Sequence, residues 1–200
     1  MLLLLDFTRL NNKEVTIYEF SKHLTLENLR QATNASIDRM VDLLQDTTDQ
    51  AMTFIPHDPD ADDPYAPAEE RYQGWSLAHL VLHVTATAEE GTAFGSLLAR
   101  GVVLPQGVRV RYEPDWHVVK TKAEVMHRLE ESRRIRLSYL NTWPDNPHLD
   151  TFREFAPESS YYRQLNAVAA VVSGLRHENN HFDQMRRARE QALNVAYTGD

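Results

Sequence analysis

The sequence predicts an all-α protein, a four-helix bundle with long connections. Long stretches are rich in Ala, Leu, Glu, Gln and Arg, the good helix formers, and only seven glycines occur in 200 residues. Apolar residues recur at helical spacing in four segments, and capping or stop signals bound each of them.

The first helix is predicted over about residues 25–53, where Leu29, Ile37, Met40, Val41 and Leu44 share a face and Pro56 marks the stop. The second begins after Ser76 as N-cap and runs to about Arg100, with Gly101 just past its end. Gly91 and Gly95 lie on its apolar side beside Leu80, Val84 and Ala88; they weaken the helix locally, so the close approach of another helix is expected there. The third follows Thr121 and reaches about Asn141, with Pro144 beyond. The fourth spans about residues 161–192. Residues 1–20 are open to two readings: short strands at residues 2–5 and 15–18 around an Asn11-Asn12 turn, or an extra ordered arm. The alternation Val108-Arg109-Val110-Arg111-Tyr112 predicts a short strand in the connection between the second and third helices, and a crossover that long lets those two helices run parallel.

One domain over residues 1–200 is expected, since a chain of this length buries a full core. The 42% apolar and 25% charged residues are ordinary globular values. Lys and Arg number 21 against 29 Asp and Glu, a net charge of −8, which argues against a nucleic-acid surface and gives no support for anionic membranes. The leucines at residues 2–5 are too short for a signal-peptide core and no basic residues precede them. No stretch approaches the ~18 apolar residues of a membrane helix. The expectation is a cytoplasmic protein. With no cysteine there is no disulfide, thiolate ligand or cysteine nucleophile.

The most informative motif is His177-Glu178-Asn179-Asn180-His181, an HExxH inside the fourth helix. Positions i and i+4 stack on one helix face, so two imidazoles can grip one ion and leave room for a third ligand and for solvent or substrate. At 100° per residue, Ala170, Gly174, His177, His181, Met185 and Ala188 form one stripe with Gln184 beside it, at the rim of the apolar arc. A third imidazole is available on the second helix at His83, with His79 one turn before it and Glu90 two turns after. Nine histidines make chance HxxxH pairs common, and His79/His83 is itself one. The stronger signal is that core-edge histidines occur on two separate helices, which a bundle brings together. His23, His57, His117, His127 and His148 have no such partners and are read as solvated. The extended metalloprotease pattern HExxHxxGxxH fares poorly, because the chain has Gln184 and Arg187 where it needs glycine and histidine. Asp58, Asp60, Asp62 and Glu69 match positions 1, 3, 5 and 12 of a calcium loop, but Asp63 stands where that turn needs glycine. The segment is read as a solvated acidic loop, bordering the metal mouth because it leads into the second helix.

The run from His177 to Met185 resembles the last-helix signature of the DinB/YfiT-like family, roughly H-E-x-H-H-x-x-Q followed by an apolar residue. Trp75-Ser76 followed by His83-Val84 resembles the family's W-S…H segment. The resemblance covers about residues 15–192; Asn180 and Asp183 replace a histidine and a glycine often found in the family. It implies a DinB-like bundle with an up-down-down-up course, often a homodimer. It also implies one divalent metal on His83, His177 and His181. Members with known chemistry are similar to transferases of low-molecular-weight thiols such as bacillithiol or mycothiol, and a related branch isomerises maleylpyruvate.

Three neutral imidazoles leave a divalent ion its full charge and an open position, enough to acidify a thiol or a water. Imidazole suits zinc, nickel, iron or copper; zinc or nickel is expected first, with iron or manganese behind. In a chain without cysteine the thiol arrives as a cosubstrate, so the expected partners are a small thiol and a small electrophile. Gln184 is expected to orient a ligand or substrate. Glu178 and Glu90 are candidate proton acceptors, with a surface or interhelical ion pair as the equal alternative. Rival functions are a metal-dependent hydrolase on the same histidines and a non-catalytic, metal-binding helical dimer.

Overall fold

The computed structural model describes residues 3–154 and 164–198. Its elements are α1 (Thr8–Asn11), α2 (Ile17–Ser21), α3 (Leu26–Leu44), α4 (Asp49–Thr53), α5 (Leu77–Ala99), a 3-10 turn (Trp116–Val118), α6 (Lys122–Asn141), β1 (Arg153–Glu154), β2 (Gln164–Leu165) and α7 (Ala167–Thr198). The four long helices α3, α5, α6 and α7 form the bundle. Thr25 and Thr121 head α3 and α6 with reciprocal capping boxes to Asn28 and Glu124, and the Ser76 side chain accepts the His79 N–H at the head of α5.

Cross-helix contacts fix the course. Arg30 reaches Asn141 and Arg133 reaches Asn34 and Asp38, so α3 and α6 are antiparallel. Glu89 pairs with Arg128 and Ser96 with Thr142, so α5 and α6 run parallel. Gly91 packs on Ala170 and Gly174 on Ala88, so α7 returns antiparallel to α5. The course is up-down-down-up, and the parallel α5–α6 pair needs the long crossover between them.

The α5–α7 seam is the tightest contact. A Cβ at Gly91 would stand 2.6 Å from the Ala170 carbonyl oxygen, and one at Gly174 would stand 2.7 Å from the Ala88 Cα. At Gly95 a Cβ would meet Val171 at 2.7 Å. The glycines thus permit the backbone approach expected of them, and that approach brings the histidine edges of both helices together.

Four local expectations are corrected. The predicted helix over residues 25–53 breaks after Leu44: the Thr47 hydroxyl bonds the Leu44 carbonyl, and Thr48 caps the separate α4. The N-terminal strands are instead the helices α1 and α2, the latter set by a capping box between Thr16 and Glu19, so the extra arm is the correct alternative. Phe7, Leu10 and Ile17 bury it against the bundle. Residues 108–112 form no strand; their alternation turns Arg109 and Arg111 to carboxylates while Val108, Val110 and Tyr112 face solvent. The fourth predicted helix begins at Ala167, where the Asn166 side chain accepts the Ala169 N–H, and continues to Thr198. Its expected start at residues 161–163 lies outside the described residues. Among the described residues no helix is long and apolar enough to cross a membrane.

The core has two parts. One gathers Phe7, Leu29, Phe94, Leu140 and residues 165–175; the other gathers Ile37, Met40, Leu80, Leu129, Met185 and Ala188. Between them every bundle helix presents polar side chains: Thr33 and Ser36, Glu89, Ser132 and Arg136, then His177 and Glu178. The candidate site lies on one side of this polar layer.

Candidate metal centre

His83 projects from the second turn of α5; His177 and His181 project from α7, one turn apart. One nitrogen from each ring lies within 4.8 Å of the others, the one such cluster among the described residues. Ring centroids are 4.9 Å apart for His83–His177, 5.2 Å for His83–His181 and 4.6 Å for His177–His181. Burial holds His177 neutral and pushes it down to about 3, helped by the nearby His181 and His83. Burial also lowers His181, against the opposing bond to Gln184. The Nε2 of His177 is buried with no hydrogen-bond partner, and such an orphan has a reason if it serves a ligand. Converging imidazoles with an unpaired buried nitrogen fit a divalent transition ion.

Each of the other two rings has its Nδ1 occupied. The His181 Nδ1 lies 2.8 Å from Gln184 Oε1, and the Gln184 amide donates to Asp58 Oδ2 at 3.1 Å. Asp58 accepts, so the Gln184 oxygen faces His181, whose Nδ1 carries the hydrogen and whose Nε2 keeps its lone pair. The His83 Nδ1 lies 3.2 Å from Glu113 Oε1, in the crossover after α5. Burial pushes the Glu113 carboxyl up, but bonds to His83 and Arg111 outweigh it and hold the group at about 2.

Trp75 explains the Trp-Ser pair before α5. Ser76 caps the helix, which leaves Trp75 beside its first turns; its ring is 4.6 Å from His83 and stacks 5.7 Å from His181. Trp75 also stacks on His79 at 4.4 Å, His79 on Trp116 at 4.9 Å, and Trp116 on His117 at 3.8 Å. His79 is therefore held in an aromatic column, outside the three-imidazole cluster. This column and the two long connections line an open cleft of about 640 Å³ whose inner wall includes His83.

The expected proton acceptors have other partners. Glu178, one residue from His177, points away from α5 toward α3 and α6; its Oε2 takes the Arg136 guanidinium at 2.9 Å and the Ser36 hydroxyl at 2.7 Å. Glu90 takes Arg109 at 2.8 Å and the Val110 N–H at 3.0 Å, which pins the crossover to α5. Both follow the ion-pair alternative. Gln184, by contrast, bonds the His181 ring. The acidic loop is not gathered into a calcium site: Asp62 pairs with Arg71, while Asp58 meets Gln184. It does border the cleft that reaches His83. His23, His57, His127 and His148 are exposed as expected, and so is His117, although it joins Asp115 and Glu70 across two loops at 2.6 and 2.9 Å. Sequence periodicity does not mark Glu113; the alternation at residues 108–112 includes Arg111 but reads as a strand.

No curated protein and no solved structure matches the chain. The DinB superfamily matches residues 32–185, a span that holds all three imidazoles, Trp75 and Gln184. With that span covering about three quarters of its length, the chain belongs to the DinB superfamily.

Proposed function

We propose that the protein is a metal-dependent enzyme whose ion is held by His83, His177 and His181, and that it transfers a low-molecular-weight thiol to a small electrophile. The observation that carries this reading is three imidazoles converging beside an open cleft of about 640 Å³ in a chain with no cysteine. A divalent ion held there would supply a positive charge that lowers the pKa of a thiol bound beside it. The chain's own residues bind and orient. Gln184 and Asp58 hold the His181 ring, and Trp75 packs against His83 and His181. Trp75 and Trp116 give the cleft an apolar wall for the cosubstrate. The S–H proton leaves to water in the cleft, since Glu178 and Glu90 are held in ion pairs. The sulfur electron pair then forms the bond to the electrophilic carbon, whose leaving group departs with its own pair. A homodimer is part of this reading, and sedimentation velocity tests it.

Two measurements test the function. Protein purified without chelator or metal-affinity tag is expected to carry about one equivalent of a transition ion, absent from the His177→Ala/His181→Ala variant. The cobalt-substituted protein is expected to change its visible spectrum on titration with small thiols and to consume thiol and electrophile in equal amounts. No ion in either protein, even after reconstitution, overturns the reading. Ester hydrolysis without thiol, with no spectral response to thiols, replaces the transferase with a hydrolase.

A further inference from the structure

The irregular crossover between α5 and α6 reaches back to the centre at one point. Glu113 Oε1 lies 3.2 Å from the His83 Nδ1. Arg111 Nη2 lies 3.1 Å from the same nitrogen and 3.2 Å from the His83 carbonyl oxygen. The Arg111 Nε donates to Glu113 Oε2 at 2.9 Å, its Nη2 bonds the same oxygen, and its Nη1 bonds the Thr87 hydroxyl. Thr87 in turn donates to the His83 carbonyl at 3.1 Å. Arg111 is thus fastened to one turn of α5, and it fastens Glu113.

Two groups of opposite character therefore compete for one ring nitrogen. A carboxylate only accepts and a guanidinium only donates. With the hydrogen on Nδ1, Glu113 accepts it and Nε2 keeps the lone pair a metal needs. With the hydrogen on Nε2, Arg111 donates to Nδ1, the carboxylate faces a lone pair, and the ring has no nitrogen left for an ion beside His177 and His181. We propose that Glu113 is a positioning residue of the metal centre, selecting the His83 tautomer that can bind and overriding Arg111, which favours the other. This rests on the reading that an ion sits among the three imidazoles. Glu113 lies at the wall of the cleft and acts here through His83, as the outer partners of metal-bound histidines do. The role follows from this chain's own loop and gives the long crossover a purpose at the site.

The test separates this role from general structural support. Glu113→Ala leaves Arg111 facing Nδ1, so the metal-free variant is expected to move the His83 hydrogen to Nε2, read from the ring nitrogens in two-bond 1H–15N spectra. Its metal affinity, measured by chelator competition, is expected to fall about 10–100-fold. Glu113→Gln, whose amide oxygen still accepts, is expected to restore the tautomer and part of the affinity. Arg111→Ala/Glu113→Ala, which removes both competitors, is expected to bind more tightly than Glu113→Ala alone. A structural role predicts the reverse order, because the double variant loses more contacts. An Nε2–H tautomer in the wild type, an unchanged tautomer in Glu113→Ala, or a double variant no tighter than the single overturns the role. Should Glu113→Ala fail to fold, the wild-type tautomer and the Glu113→Gln affinity decide. Absence of bound ion in the wild type overturns the metal reading itself, whereas an ion bound equally by wild type and Glu113→Ala overturns only the role of Glu113.

Discussion

The two sides of the polar layer in mid-bundle solve one problem in opposite ways. His177 and Glu178 are consecutive in α7, turned apart by about 100°, so one faces His83 on α5 while the other faces α3 and α6. On the α3–α6 side, Glu178 and Arg136 are buried with side chains 1% exposed, and full charges neutralise one another at 2.9 Å. On the α5 side burial lowers His177 and His181, and the His177 Nε2 has no hydrogen-bond partner. The buried pair is matched in charge, although Glu178 Oε1 and Arg136 Nε and Nη2 also lack hydrogen-bond partners. The converging imidazoles have no such countercharge within the cluster, and their nitrogens lie close enough together to share one ion. Charge matching therefore ties the Glu178 side to folding, and convergence makes the histidine side the candidate place for a ligand.

The sharpest way to break the comparison is to unbalance the charged side. Glu178→Ala strands the Arg136 charge in the core, and a loss of roughly 3–5 kcal/mol is expected in urea unfolding. Replacing both partners, as in Arg136→Met/Glu178→Met, is expected to recover most of that loss, because paired burial costs desolvation on both sides. Neither change removes a histidine, so the folded double variant is expected to retain its metal. Loss of the ion there would show that the two sides are coupled.

A smaller effect is expected at the seam that builds the histidine side. Gly174→Ala puts a methyl group 2.7 Å from the Ala88 Cα, an atom that cannot rotate away. Overpacking of this kind costs about 1–3 kcal/mol. The displacement pushes α7 from α5 and separates His83 from His177, so metal affinity is expected to fall more than stability does. A variant with wild-type affinity would show that the seam does not set the spacing of the imidazoles.

These residues also show how far the sequence could be read. Helical periodicity placed His83, His177 and His181 on core-edge stripes, and Gly91 and Gly95 announced a close neighbour, because both signals are local to one helix. Glu178 was ambiguous for the same reason: a helix wheel gives its angle but not whether Arg136 waits at that angle. Glu113, Arg111 and Asp58 lie on irregular connections, and the tertiary path alone decides what they touch. The N-terminal arm misled through its apolar runs, although the Thr16 and Glu19 capping box was legible as a helix signal. Likewise Thr48 and Asp49 marked a new helix start within what periodicity joined into one.

The smallest effect sharpens the same contrast between neutral and charged solutions, now within one aromatic column. His79 is enclosed by Trp75 and Trp116, and burial lowers it to about 4, with the His83 ring adding to the shift. His117, two rings further out, is raised by its bonds to Asp115 and then to Glu70. The signs are opposite. The unfolded chain protonates His79 near 6.5 while the fold resists until about 4, so its contribution is fully present above about pH 6.5 and is lost as pH falls toward 4. His117 contributes fully below about 6.5, and that contribution is lost as pH rises through its raised folded value. Histidine-resolved NMR titration of the metal-free protein is expected to give midpoints on opposite sides of 6.5. Of the two, His117 is exposed, so only its shift is expected to shrink when salt is added. Coincident midpoints would mean that the column does not hold His79 away from water.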